Sequence, residues 1–509
     1  MPMPGPRSRQ GCDECRKRRR KCDEQKPRCG HCITFARRCE YPLRVVWQDG
    51  KKSSISGTQE TGNNQVASPD RANPQTKGPP RTLPNGIPLS PRYQRLLAHF
   101  TRDILASLSC HPSIHHDLGQ GLVPAALESP QLMSACLALS AAGFLSRGVL
   151  EIDGLEVTKV LGHLQSSGLA LLRSALATTS SPTAGVQRQM SDTLLATCLI
   201  WCLTDVFTYR RSEDTVLPSW RIHLQGMRAI LDRDSHHTRN FAPGTATSTQ
   251  MAMKHLHQLY LSLQTLPYIN PATSGRTPVT SHVPQTHLAV TTSPAIDGFL
   301  GYSDELLDIM HQIDLLSRTF PPPSPFEADV LLGKVQAMIA RDAIAAPPIM
   351  LSPSSSARDE SAEFTLCHQI FQQATLIQLY RRLYHLPSAS PQIQNAVTTM
   401  EIMFECLEVS STKARPGAPR DDAGGESMWV AMAMPVFTLG CEAFTPEQQQ
   451  FVLSKMDRLE ACIQSLHIKI IRSALVDVWA LRKEIGDDGV GALCAGNLLE
   501  KLTYDIILF

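Results

Sequence analysis

The sequence predicts a small metal-stabilised N-terminal module joined by a disordered linker to a large all-α C-terminal domain. Three observations carry this: six cysteines in a duplicated spacing within the first forty residues, a polar stretch from about residue 50 to 90, and apolar residues at helical spacing from Pro91 onward. The chain has 509 residues, 42% of them hydrophobic and 19% charged, so it is long enough for more than one domain and too apolar to be wholly disordered.

The head reads GCDECRKRRRKCDEQKPRCGHCITFARRCEYPL, which places Cys12, Cys15, Cys22, Cys29, Cys32 and Cys39 in the spacing C-x2-C-x6-C-x6-C-x2-C-x6-C. Each half, Cys12-Cys15-Cys22 and Cys29-Cys32-Cys39, has a C-x-x-C pair that can chelate one ion, with a third thiolate a short helix away. Tetrahedral zinc takes four ligands, so two ions need eight positions where six sulfurs offer six. Bridging by the first cysteine of each half, Cys12 and Cys29, closes the count. Cys15 and Cys22 then complete one site, and Cys32 and Cys39 the other. Six thiolates and two Zn2+ ions sum to −2, which nearby Arg and Lys help offset. His31 sits between two chelating thiolates, which point it outward, so it is not expected to be a ligand.

Charge is concentrated in the same place. Residues 1–52 carry fifteen Lys and Arg against six Asp and Glu, and with a whole-chain net charge of +2 the remaining 457 residues are left at −7. A compact cationic head on a mildly acidic body suits a polyanion such as DNA. The opening MPMPGPRSRQ lacks the apolar run of a secretory signal, and six consecutive cationic residues are out of place in a disulfide-stapled secreted scaffold. The run RKRRRK also has the composition of a nuclear-localisation signal, although such a signal alone needs no metal scaffold.

Between Gly50 and Ser90 the chain is rich in Ser, Thr, Asn, Gln, Pro and Gly and carries no apolar heptad that would dimerise the head. Beyond it, Tyr93, Leu96, Leu97, Phe100, Ile104 and Leu108 recur at helical spacing, as do Leu132, Cys136, Leu137, Leu139 and Phe144. Further helices are predicted over Thr193–Tyr209, Trp220–Leu231, Ser303–Ser317, Ala328–Ala345, Phe364–Leu386, Ile393–Leu407, Pro446–Ser465 and Lys469–Ile485. Breaks fall at Thr265–Ala295, Phe320–Pro325, Pro347–Arg358 and Thr412–Gly425. The most apolar run, Leu194 to Phe207, is too short to cross a bilayer and contains Asp205, so a core helix is expected and no membrane partner. The nine remaining cysteines are irregularly spaced in apolar surroundings and are read as reduced core residues. The run His115-His116-Asp117 is placed in a solvated loop, and no P-loop, dinucleotide fingerprint, HExxH or GxSxG anchors an enzyme.

From Arg9 to Leu43 the head resembles the fungal binuclear zinc-cluster transcription factors, in its cysteines, its basic run and its Lys26-Pro27-Arg28-Cys29 turn. The body resembles the fungal-specific transcription factor domain through PLSPRYQRLLAHFTRDI, ALESPQLMSACLALSAAGF, SWRIHLQGMRAIL and MAMPVFTLGCEAF. The first resemblance implies two short helices around two zinc ions, the first presenting its end to the major groove of double-stranded DNA over a CGG-like triplet. By position after the second cysteine, Arg18 and Arg19 match the base-contacting pair. Arg16, Lys17, Arg20, Lys21, Lys26 and Arg28 are candidates for phosphate contacts. The second resemblance implies an all-helical regulatory domain with surfaces for dimerisation, effectors and coregulators.

The expected organisation is therefore a DNA-binding cluster at 9–43, a linker at 44–90 and a regulatory body at 91–509. The expected function is sequence-specific regulation of RNA polymerase II transcription in the nucleus, for many relatives in specialised metabolism. Useful specificity needs a second head or a second protein; a homodimer would form through the body, and a monomer on DNA is the other arrangement the sequence allows. The alternative is a zinc-dependent protein adaptor without sequence readout, which neutralising Arg18 and Arg19 would leave intact.

Overall fold

The computed structural model describes residues 12–18, 20, 22–23, 25, 28–35 and 39 near the N-terminus, and 85–87, 90–177, 184–208, 219–234, 248–265, 293–318, 324–351, 361–413, 427–485, 502, 504, 506 and 508 beyond it. Most of the predicted linker, and much of each predicted break, lies outside these residues. The chain divides into two compact units, Met1–Thr76 and Lys77–Phe509. In the first, two single-turn helices, α1 (Asp13–Lys17) and α2 (Gly30–Thr34), pack together around buried sulfur.

The second unit is built from helices whose starts follow one local rule. Ser90 accepts the Tyr93 N–H and Pro91 opens α3 (Pro91–His99), which passes through a π turn at Phe100–Ile104 into α4 (Leu105–Ser107). His111 caps α5 (Pro112–Glu128) and Ser129 caps α6 (Pro130–Ser146), each again followed by proline. The capping side chain satisfies an orphan N–H, and proline at the first position has no N–H to satisfy.

Every residue of α6 from Leu132 to Gly143 is buried, so this helix is apolar all round and forms the axis of the unit's first half. Around it pack α3, α5, α7 (Val157–Ala177) and α8 (Ala184–Thr208). A two-residue hairpin precedes α7: β1 (Glu151–Ile152) pairs antiparallel with β2 (Leu155–Glu156). The apolar run Leu194–Phe207 lies within α8, largely buried, and its Asp205 is 3.1 Å from His223 Nε2 on α9 (Ser219–Asp234). Next comes α10 (Ser248–Thr265), packed on α5.

In the second half, β3 (Ile296–Asp297) precedes α11 (Asp304–Arg318) and α12 (Pro325–Ile344), then pairs in parallel with β4 (Ile349–Met350). The chain continues through α13 (Ser361–Arg382), α14 (Pro391–Lys413), a 3-10 turn at Met428–Ala431, α15 (Ala433–Cys441), α16 (Pro446–Ile463) and α17 (Leu466–Ile485). Capping boxes start α12, where Ser324 N–H donates to Glu327 at 2.9 Å, and α16, where Thr445 and Gln448 exchange bonds. The core is continuous and anchored by Trp201, Trp220, Trp429, Phe100, Phe404 and Phe437. No helix among the described residues is long and apolar enough to cross a membrane.

Helices α5, α7 and α10 were not expected, and one expectation is corrected outright. His115, His116 and Asp117 lie in α5 and not in a loop: His115 Nε2 pairs with the Thr101 carbonyl at 2.8 Å, and buried Asp117 faces His255 Nε2 at 3.5 Å. Polar pairing holds buried Asp117 and half-buried His115, while His116 faces solvent as expected. Cys136, Cys198, Cys202, Cys441 and Cys462 are buried as expected, whereas Cys406 on α14 is exposed.

Candidate metal centre and nucleic-acid interface

All six head cysteines come together. Cys12, Cys15, Cys22, Cys29 and Cys32 are buried as one cluster, with half-buried Cys39 packed against it. Three sulfur pairs, Cys12–Cys29, Cys12–Cys32 and Cys15–Cys29, each lie at 3.7 Å. A tetrahedron of Zn–S bonds of about 2.3 Å has edges of about 3.8 Å, so these separations suit sulfurs sharing a metal. Cys12 is close to a sulfur of the second half and Cys29 to a sulfur of the first. A third observation completes the donor set: Cys29 N–H donates to Cys39 Sγ at 3.2 Å.

Short-range bonds orient the ligand residues. Cys29 is the N-cap of α2, its sulfur accepting the Cys32 N–H at 3.4 Å, so the C-x-x-C spacing makes both the cap and the chelate. Asp23 accepts the Gly30 N–H at 2.8 Å and ties the loop after Cys22 to α2. A Cβ at Gly30 would lie 2.7 Å from that carboxylate, so a larger residue there would push the Asp23 side chain aside. Neither Asp23 nor Gly30 was singled out from sequence, and only the duplication, which aligns Gly30 with Asp13, hints at a special role.

Protonation shows what the cluster lacks without a cation. Burial would raise the Cys29 thiol, but the Cys32 N–H and the thiols of Cys32, Cys15 and Cys12 donate to its sulfur and lower it to about 6. Burial pushes Cys12, Cys15 and Cys32 up, and for Cys15 and Cys32 the neighbouring sulfurs add to the rise. One thiolate forms readily, while Cys12, Cys15 and Cys32 resist. Divalent cations supply the charge that lets buried thiols ionise together, which fits this donor set.

The basic run leaves this cluster directly. Arg18 follows α1, its N–H bonded to the Glu14 carbonyl at 3.2 Å, and Arg20 N–H donates to the carbonyl of Cys15 at 2.9 Å. The backbone under the basic residues is thus attached to a metal ligand. The Arg18 guanidinium is exposed and held at 2.6 Å by Glu14, an i,i+4 pair not among the features expected from the sequence. Lys17, Arg20 and Arg28 are exposed. The Arg16 side chain and the residues Arg19, Lys21 and Lys26 lie outside the described structure. His31 packs its ring 4.8 Å from that of Phe35.

Comparison with known proteins agrees with this geometry. The fungal Zn(2)-Cys(6) binuclear cluster domain matches residues 10–48, and the fungal specific transcription factor domain matches 95–490, most of the chain. The chain belongs to the fungal zinc-cluster transcription factors. Its head is a Zn(2)-Cys(6) cluster domain, which holds two zinc ions, and its body is a fungal specific transcription factor domain. The lysine biosynthesis regulatory protein LYS14 of Saccharomyces cerevisiae is 56% identical over 53 residues, covering 10% of this chain and 7% of that protein. The transcription activator AMTR1 of Alternaria alternata is 40% identical over 55 residues, covering 11% and 7%. The chain thus matches less than a tenth of the length of either relative. No solved structure matches it.

Proposed function

We propose that this transcription factor reads a CGG-like triplet in the major groove with Arg18 and Arg19, held by a cluster in which Cys12 and Cys29 bridge the two zinc ions. The carrying observation is the exposed Arg18 just after α1, its N–H donating to the Glu14 carbonyl, with Arg20 two residues on donating to the carbonyl of the ligand Cys15. A planar guanidinium donates to guanine O6 and N7 together, worth about 1–3 kcal/mol of discrimination per pair. The Glu14 carboxylate orients that fork, and as an exposed ion pair, worth about 1 kcal/mol or less, it yields easily to a base edge. Arg16, Lys17, Arg20, Lys21, Lys26 and Arg28 contact phosphates and set the register of α1 without reading sequence. The zinc ions supply the rigid frame, and the thiolates of Cys15, Cys22, Cys32 and Cys39 complete their coordination.

In this reading the cluster spans 9–43, the linker 44–90 and the body 91–509. The body carries the surfaces for a homodimer and for coregulators, and the protein acts on RNA polymerase II transcription in the nucleus. Selection of full-length protein against a randomised DNA pool, with and without a zinc chelator, tests it. A retained CGG-like triplet that disappears with chelator and on Arg18→Ala with Arg19→Ala is the expected result. Zinc-loaded protein that retains no preferred sequence at moderate salt would sink the reading in favour of the adaptor.

A further inference from the structure

Residues 14 and 18 are joined twice. The Arg18 N–H donates to the Glu14 carbonyl at 3.2 Å, which carries the helical pattern of α1 one residue past its end, and Arg18 Nε donates to Glu14 Oε1 at 2.6 Å. The Glu14 side chain is 26% exposed and that of Arg18 51%, so the carboxylate is the more fixed partner. An acid placed four residues before a base is the favoured order for such a pair.

Which nitrogen is held decides what the pair can do. A guanidinium has five N–H donors, one on Nε and two on each of Nη1 and Nη2. Bidentate recognition of guanine takes two parallel N–H groups, either those of Nη1 and Nη2 or those of Nε and Nη2. Glu14 holds Nε, and among the described residues Nη1 and Nη2 make no hydrogen bond. The end-on edge is therefore open and the side-on edge closed. Weak as the pair is, reading O6 and N7 does not require it to break.

The same carboxylate works against DNA binding as such. Residues 1–52 carry six Asp and Glu against fifteen Lys and Arg, and Glu14 stands one helical turn before the basic run. Within a Debye length of about 8 Å a fixed negative charge repels the phosphate backbone. That repulsion opposes every sequence alike, so any benefit from Glu14 lies in discrimination.

We infer, on the strength of the Arg18 readout proposed above, that Glu14 is a positioning residue for base reading: it grips Arg18 by Nε, presents Nη1 and Nη2 to one guanine, and keeps the guanidinium from swinging onto a phosphate. A guanidinium loose on its long stem pairs with phosphate at any site. Held by Glu14, it loses less freedom on reaching guanine and gains less from a backbone oxygen. Glu14 lowers affinity for DNA in general and raises preference for the triplet.

Competition titrations of the full, zinc-loaded chain test this with two duplexes of equal length, one carrying the selected triplet and one of unrelated sequence. Glu14→Ala should bind the unrelated duplex about twofold more tightly and lower the ratio of the two affinities by roughly two- to fivefold, the range expected for an exposed ion pair. Glu14→Gln keeps an oxygen acceptor for Nε without the charge, so it should restore part of that ratio while non-specific binding stays tight. In an Arg18→Ala background, Glu14→Ala should leave the ratio where it is. A merely structural role predicts the opposite sign, with zinc lost and both duplexes bound more weakly. That result, an unchanged ratio in Glu14→Ala, or the same loss of ratio in the Arg18→Ala background would each overturn the proposal and leave the readout by Arg18 standing. Full discrimination in Arg18→Ala itself would sink the readout and the role of Glu14 together.

Discussion

The head and the body both bury cysteine, and to opposite ends. Among the described residues of the head the buried cluster consists of cysteines alone, while the large apolar side chains Ile33 and Phe35 face solvent. These residues form no oily core, and their sulfurs must bind something to hold them together. In the body Cys136 and Cys202 are interior members of a continuous apolar core, and burial pushes their thiols far up. These are small hydrophobes. Burial therefore does not assign chemistry to a cysteine. Its spacing to other cysteines, and what else is buried with it, decide.

Metal removal should break the comparison most visibly. Structural zinc in small domains contributes on the order of 10–16 kcal/mol, so a strong chelator should unfold the head and abolish DNA binding. The thermal transition of the body, followed by circular dichroism on the same sample, should not move. A body that melts earlier in chelator would show that the two units do not differ in this way.

Arg18→Ala comes next. It should lower affinity for the selected site by about 1–3 kcal/mol while zinc content and melting temperature stay as in wild type. A loss of zinc would make Arg18 part of the scaffold. Paired substitutions of one residue type sharpen the contrast: Cys29→Ala should abolish zinc binding, whereas Cys136→Ala should cost the body about 1–2 kcal/mol and leave DNA affinity intact. Equal effects on DNA binding would erase the distinction.

The smallest effect is a pH dependence confined to the body. The Ser140 hydroxyl donates to the Leu96 carbonyl at 2.7 Å, so it accepts at 2.8 Å from Nδ1–H of buried His99, whose ring stacks 4.0 Å from Phe144. Nε2 is buried without a partner. Burial, with Arg147 nearby, lowers His99 to about 4 from its ordinary value of 6.5. The unfolded chain therefore takes up this proton first as pH falls. Stability tied to neutral His99 is intact above about 6.5 and is lost progressively down to about 4. His99→Gln should flatten the melting-temperature profile of the body in that window, and an unchanged slope would exclude His99 as its source.

The parts legible in the sequence were those where one interaction dominates. Six cysteines in a duplicated spacing allow few arrangements, and α8 and α11 carry apolar residues dense enough to mark a helix. Helix α10 was missed because its buried side includes polar groups: Gln258 donates to Asp297 at 2.7 Å, and Ser262 bonds Tyr302 at 2.8 Å. Their partners lie far along the chain, so the local pattern read as polar. In α5 two glycines and Pro124 interrupt the periodicity, although Ile114, Leu118 and Leu122 share a buried stripe. Within the head, the Asp23–Gly30 bond was invisible for the same reason, as it depends on a fold set by the metal ligands.

The rule by which the body starts its helices has a temporal side. Pro91, Pro112, Pro130, Pro325, Pro391 and Pro446 each open a helix, and a helix start uses the trans peptide bond. A chain equilibrated in denaturant holds roughly 10–30% cis at each such bond, so between about half and a tenth of refolding chains start with all six ready. The others wait tens to hundreds of seconds for isomerisation. From Cys12 to Cys39 there is only Pro27. On refolding from denaturant, the cluster is free to close while the body behind it waits on its prolines, so a prolyl isomerase should speed recovery of the body more than that of the head.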